Sequence, residues 1–534
     1  MTIDNSGSTP VVVQGDPTDP QMKGKLARRN LVSAVMQRGV SLISAFVRIP
    51  LLLHTLGPAQ YGLWLGVFAA AGLSTISDFG LQLAVTQRVA ELRGLGRTDE
   101  VRRVVATAFW LAFAGFAIIT CITLAWVGAT SPFGQQAAAA GVRRADVRAL
   151  LLLACIASFA IQPPKILVSA QYGFERMYAL HICDVVGIVV NLCGLWLLTG
   201  VVGDSLVVLG AWTVLWDLGL GLIVAVVLVR RHPANLSISP RDFRRDLIAP
   251  LFRQAAAFFF GTVANGLRWS LDGVFILAIL GPTFVPRYEP SMRLFLAGLT
   301  IVHIVFGTLW PSFAESAARH DWAWVNRAFG VATVTVLGLA TVVFTLAQLF
   351  GRDLLLRWVG PPGFSSQVVL LTLGLWFLVS AWVLIAAHLT ISLGGALTVM
   401  RWGLAEGIVN IGLTILLAHV WGLAGVALAS LVAVVAFGAV PLTLRLRALT
   451  ESRVDLPVRA IGRLTGLVTL VMGGAWYLHR VSPATMSVPV LIPAVTFTGL
   501  ITLTVVWFLV MGAADRQILR NQVRSGLQRQ RPPP

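Results

Sequence analysis

The chain has 534 residues, of which 57% are hydrophobic and only 12% charged, and its mean hydropathy is +0.81. Soluble domains average about 45–50% apolar and about 25% charged residues, so a water-soluble fold is excluded. A formal charge of +18 would suggest nucleic acid in a soluble protein. Here the basic residues sit between apolar runs, where membrane topology and anionic headgroups account for them, so membrane lipids are the expected partner and nucleic acid is not.

Residues 1–30 are polar, contain Pro10, Pro17 and Pro20, and read as a disordered cytoplasmic tail. The first apolar run is too long and too rich in arginine for a cleaved signal peptide and is expected to persist as an anchor. Six apolar runs fill residues 31–229, and a basic, proline-containing linker covers 230–253. Six more runs fill 254–447 and two fill 448–513, before a basic cytoplasmic tail at 514–534. The pattern predicts an all-α polytopic membrane protein with about fourteen transmembrane helices of ~20 residues each.

Arg88, Arg93, Arg97, Arg102 and Arg103, then the 230–253 cluster, then Arg445, Arg447, Arg453, Arg459 and Arg463 occupy alternate loops. The positive-inside rule makes those loops and both termini cytoplasmic in an inner (plasma) membrane. Arg143, Arg144 and Arg148, and also Arg352 and Arg357, run against it. Cys121, Cys155, Cys183 and Cys193 lie inside apolar runs without metal-ligand spacing, so neither a disulfide framework nor a metal site is expected. No cofactor motif appears, and no loop is long enough to hold an active site, so the chain reads as a non-enzyme.

An internal repeat is the most informative feature. Leu56-Gly57-Pro58 recurs as Leu280-Gly281-Pro282, 224 positions later, and the same offset relates Ala90-Glu91 to Ala314-Glu315 and Arg103 to Arg327. Tyr61 pairs with Tyr288 and Phe79-Gly80 with Phe306-Gly307 after a three-residue slip, and the run ending in Asn191 resembles the one ending in Asn410. Spans 1–6 and 7–12 are thus expected to form two parallel, pseudo-symmetric lobes with the substrate between them, and the last two helices to pack outside.

Ionisable side chains at the bilayer centre cost at least ~2.5–3.5 kcal/mol, so those far from span ends are functional candidates. Lys165, Arg293 and Arg401 lie near span ends and are expected to snorkel. Arg38, Ser41, Ala45 and Arg48 step along one face of the first span. A guanidinium offers a planar fork of donors suited to phosphate oxygens, which makes Arg38, Arg48 and Arg268 candidate anion-binding residues. Asp78, Asp217 and Asp272 are candidate coupling or gating carboxylates. Arg268 and Asp272 are four apart and are open to mutual neutralisation; at offset 224 Asp272 matches Arg48, so a pair across the cleft is the alternative. His303 reads as a core histidine, Asn191 and Asn410 as interhelical glue, and Gln162-Pro163-Pro164-Lys165 as a break in the fourth span.

The stretch from Arg48 to Arg103, with Leu56-Gly57, Tyr61-Gly62-Leu63-Trp64, Asp78-Phe79-Gly80-Leu81 and Gly96-Arg97, resembles polysaccharide (O-antigen type) flippases. These belong to the multidrug/oligosaccharidyl-lipid/polysaccharide exporter superfamily. The second half is similar to that family through Asp272, Leu280-Gly281, Tyr288, Trp310-Pro311, Glu315, Asn410 and Trp421-Gly422-Leu423-Ala424-Gly425. The resemblance implies two six-helix lobes around a cavity open alternately to each face, carrying an isoprenoid-pyrophosphate-linked saccharide, with cavity cations on the pyrophosphate and polysaccharide-assembly proteins as further partners. The span count is also similar to that of lipid II flippases, in which two extra helices form a groove for the lipid tail. The rival readings are a drug or cation antiporter of the same superfamily and, from another class, a membrane-embedded glycosyltransferase, polymerase or scaffold of envelope synthesis.

Overall fold

The computed structural model describes residues 20–72, 80–130, 132–175, 177–231, 236, 238–269, 271–451, 453–481 and 487–510, and no strand occurs among them. The first half contains α1 (Pro20–Gly72), α2 (Leu81–Gly94), α3 (Thr98–Thr130), the short α4 (Gly134–Ala139), α5 (Arg144–Ala160), α6 (Gln162–Gly173), α7 (Tyr178–Val202) and α8 (Leu206–Arg231). The second half contains α9 (Ile248–Trp269), α10 (Asp272–Ile279), α11 (Val285–Ala318), α12 (Trp322–Trp358), α13 (Gln367–Ser392), α14 (Ala396–Ala433) and α15 (Val440–Leu449). The chain continues with α16 (Val458–Val481) and α17 (Val488–Val505). Ten described helical stretches are long and apolar enough to cross a membrane, and the protein is a multi-pass membrane protein.

Glycines divide the longest helices. At 1.5 Å per residue, α1 would extend ~80 Å, far beyond the ~30 Å of bilayer hydrocarbon. It is broken at Gly57, where φ is 72° and ψ 168°. Gly281, in the recurring Leu-Gly-Pro motif, has φ 103° and ψ 171°. Only glycine occupies this region without strain. The proline that follows bars helical ψ at the glycine and opens the next helical segment with φ already set. The repeated tripeptide therefore takes one shape at both of its positions.

A third glycine, Gly422, breaks α14 with φ 58° and ψ −135°. Ser430 Oγ then lies 3.2 Å from Asn410 Oδ1 although they are 20 residues apart, a separation of ~30 Å in a straight helix. The two halves of α14 thus fold back on each other. The Pro163-Pro164 pair divides α5 from α6 and sits in the first turn of α6, where a missing N–H costs least.

Small and polar residues set the helix contacts. Asn30 donates to the carbonyl of Glu175 at 2.7 Å and accepts from the Tyr178 N–H at 3.0 Å, and Ser33 meets His181 Nδ1 at 3.0 Å. These bonds fasten the start of α1 to α7. After Gly57, α1 turns a glycine face, Gly62 and Gly66, to the second half of the chain; a Cβ on Gly62 would overlap the Pro282 carbonyl, and one on Gly66 the Leu277 side chain. Trp358 stacks on Phe46 with centroids 4.6 Å apart and donates to its carbonyl at 2.8 Å. The linker is strapped to α3 by Arg102–Asp242 at 2.8 Å and by the Arg244 N–H to Thr107 Oγ1 at 3.1 Å. The last two helices lie along α12, where Gly338 receives Val506.

Two predictions follow from the glycines. A Cβ at Gly57 or Gly281 meets no atom within 4 Å, so Gly57→Ala and Gly281→Ala should each cost ~1–3 kcal/mol through backbone strain alone. Unchanged thermal midpoints in detergent would show that the turns are unstrained. Gly62→Val should insert normally but wedge α1 off the Pro282 turn, lowering transport in reconstituted vesicles at least tenfold; wild-type rates would show that this contact is not needed.

Candidate functional site

The first half of the chain assembles a polar site from the inside out. On α8, Trp212 and Trp216 stack with centroids 5.5 Å apart and seat on a face of α7 made of Gly187, Asn191 and Gly194. Their indole N–H groups donate to the carbonyls of Asn191 and Gly187 at 3.2 and 2.9 Å. The Asn191 side chain, 2% exposed, is thereby left to face α1, where Arg48 Nη2 donates to its Oδ1 at 3.1 Å. Arg48 Nε is buried with no hydrogen-bond partner among the described residues, and the opposite charge acting on this guanidinium comes from Asp217 of α8.

A cavity of 710 Å³, bordered by Asp217, opens between α2, α6, α7 and α8. Gln82, Gln162, Lys165, Tyr172, Asp184 and Asp217 contribute its polar surface. Lys165 does not lie apart as a snorkelling residue. It follows the proline break and acts electrostatically on both Asp184 and Asp217. Arg38 and Ser41 are exposed, and the charge of Arg38 reaches Tyr172, His181 and His303.

The second half repeats the asparagine with the opposite charge. The Tyr288 hydroxyl donates to Asp272 Oδ2 at 3.0 Å, and the polar side chains of Asn410 and Ser430 also act on this carboxylate. Next to it, a cavity of 420 Å³ is walled by Leu65 and Phe68 of α1 and by Asp272, Tyr288, Glu289 and Arg293. Arg293 Nε meets Glu289 Oε1 at 2.6 Å and acts on Tyr61 and Arg48. The expectation that Arg293 snorkels at a span end is corrected: it borders a cavity between the two halves.

Two further expectations change. The described contacts do not pair Arg48 with Asp272 across the cleft, because each meets the asparagine of its own half. Arg268 and Asp272 do not share a continuous helix, since α9 ends at Trp269 and α10 begins at Asp272. The side chain of Arg268 and the whole of Asp78 lie outside the described residues. His303 packs edge-on against His388, ring centroids 5.6 Å apart.

Sequence reasoning missed Asp184 and Glu406. Both are carboxylates inside apolar runs, so the depth criterion that selected Asp217 would also have selected them. Glu406, 2% exposed, lies one turn before Asn410 and against the π-helix Val434–Ala439; a Cβ on Gly438 would come within 2.7 Å of its carboxylate.

Several solved transporters share this architecture. The inward-facing structure of a multidrug resistance MATE family transporter of the MOP superfamily superposes with a TM-score of 0.63 at 14% identity, covering 78% of this chain and 96% of that one. The outward-facing structure of a multidrug resistance MATE family transporter gives 0.54 at 15% identity, covering 80% and 96%. A MOP superfamily transporter from Pyrococcus furiosus gives 0.57 at 15% identity over the same shares. These likenesses establish the fold. No curated protein matches the chain. The polysaccharide biosynthesis protein family matches residues 27–317, more than half of the sequence, and the chain belongs to that family.

Proposed function

We propose that the protein is a flippase that moves an isoprenoid-pyrophosphate-linked oligosaccharide, a precursor of cell-envelope polysaccharide, across the cytoplasmic membrane by alternating access. The observation that carries this reading is Arg48. Its guanidinium is half-buried in a membrane helix, anchored by a bond to Asn191, and keeps a buried N–H without a partner among the described residues. A planar donor fork left incompletely bonded is suited to a phosphate oxygen. Arg38 and Arg293 add positive charge on either side, and Arg268 is assigned to the same set from sequence.

In this reading residues 31–229 and 254–447 form two six-helix lobes that rock about the contacts of Gly62 and Phe46. The recurring Leu-Gly-Pro turn and the recurring asparagine support the lobe assignment. Gly57 and Gly422 each mark a boundary between two spans inside one long helix, which supports a total of about fourteen spans with both termini in the cytoplasm. The last two helices support the substrate's lipid tail, and polysaccharide-assembly proteins receive the product. Asp272, bonded by the Tyr288 hydroxyl and flanked by the polar side chains of Asn410 and Ser430, is the best-placed coupling carboxylate, with Asp217 and Asp78 as the other candidates. A second reading, a drug or cation antiporter, draws on the multidrug transporters of the same fold and on the exposed carboxylates Asp184 and Asp217.

The test is transbilayer movement of undecaprenyl-pyrophosphate-linked sugar in proteoliposomes. Arg48→Ala should cut the rate more than tenfold, and Arg48→Lys should recover only part of it, because an ammonium lacks the planar fork; a wild-type rate in Arg48→Ala would remove the residue from the site. Asp272→Asn keeps the partners of the hydrogen bonds but loses the charge. It should abolish the response of transport to an imposed ion gradient while leaving lipid binding in place, and an intact gradient response would assign coupling elsewhere.

A further inference from the structure

The cavity of the first half differs from the arginine site beside it, and the difference bears on what the cargo carries. Its 710 Å³ falls within the size range of small-molecule pockets. The side chains that line it are not those of a phosphate site. Gln82 Nε2 donates to Gln162 Oε1 at 2.9 Å, and Gln162 Nε2 donates to the Ser158 carbonyl at 3.0 Å, so the amide pair is held in a fixed orientation. Tyr172 is 37% exposed and braced edge-on by His181 at 6.2 Å, which leaves an apolar ring surface with a polar tip facing the space. Asp184 and Asp217 are both exposed into it, against one cation, Lys165.

Fixed amides, a braced aromatic ring and carboxylate acceptors are the groups that recognise a polyol: hydroxyls donate to carboxylates and exchange bonds with amides, and the C–H face of a sugar ring lies on an aromatic ring. The balance of charge adds a selection rule. Among the residues that line the cavity, two carboxylates against one ammonium favour a sugar with hydroxyl or amino donors and oppose one that brings its own carboxylate, since like charges in a partly desolvated space repel strongly; the charges of Arg38 and Arg48, outside the lining, are met by the pyrophosphate in the flippase reading. Asp217 lines this cavity and is also a charge that acts on Arg48, so the acceptor side on α7 and α8 lies within electrostatic reach of the anion side on α1.

We propose that this cavity is the saccharide subsite, with Asp184 and Asp217 as acceptors and Tyr172 as the stacking platform, and that it selects neutral or amino sugars over uronic acids. The assignment rests on the flippase reading and deepens it. Lys165 positions the two carboxylates and limits their mutual repulsion.

The experiment measures binding by native mass spectrometry to the full chain in nanodiscs. Three probes share one lipid: undecaprenyl pyrophosphate alone, the same lipid capped with an amino hexose, and the same lipid capped with a hexuronic acid. Wild type should bind the amino-hexose probe at least tenfold more tightly than the uronate probe. Asp184→Asn/Asp217→Asn should bring that ratio close to one, and Tyr172→Leu should weaken both capped probes toward the affinity of the uncapped lipid. Equal binding of the two capped probes by wild type, or a ratio kept by the double variant, overturns the assignment. Binding of the uncapped lipid separates the levels: if it binds while the sugars are not distinguished, only the saccharide subsite falls. If no probe binds, the flippase reading falls with it. Should the double variant fail to fold, the wild-type ratio still decides.

Discussion

A single hydrogen bond, from Arg48 to Asn191, connects the packing of the first half to the chemistry of its site. A guanidinium deep in a span is expensive, and one side-chain amide satisfies only one of its N–H groups. The arrangement is stable because the surrounding structure imposes it. The tryptophans of α8 fill the glycine notches of α7 and take the backbone carbonyls there, which turns the Asn191 side chain toward α1. Arg48 is then held where the Asp217 carboxylate offsets part of its charge. A buried guanidinium N–H without a hydrogen-bond partner among the described residues is the result.

The second half carries the same device with the sign reversed. Asn410 stands where Asn191 stands in the repeat, and the group it meets is Asp272, at the position equivalent to Arg48. A side-chain amide suits either charge as a neighbour, because it both donates and accepts. Contact between the halves includes the close approach allowed at Gly62 and Gly66 and the Phe46–Trp358 stack.

Much of this was legible in the sequence because it rests on composition and on local backbone chemistry. Hydropathy gave the membrane class, and Leu-Gly-Pro marked two turns that only glycine followed by proline adopts easily. The Pro163-Pro164 pair divided a helix where its rings require it. The partners of the charged residues were not legible. Proximity at offset 224 suggested that Arg48 and Asp272 pair, yet a repeat relates positions by symmetry and does not bring them into contact. The cavities beside Arg293 and Lys165 were not legible either, because a residue near an estimated span end looks solvated whether it faces headgroups or a cavity. Asp184 and Glu406 carried the same signal as Asp217 and needed only the same criterion.

The most direct measurement of the central claim is the class of cargo moved by the wild-type protein. Proteoliposomes that carry undecaprenyl-pyrophosphate-linked sugar in the membrane and a fluorescent cationic dye in the lumen, under an imposed ion gradient, report both activities at once. An arginine-centred site predicts transbilayer movement of the lipid-linked sugar and retention of the dye. Extrusion of the dye with the lipid-linked sugar left in place would contradict the account and make the carboxylates, not the arginine, the centre of the site.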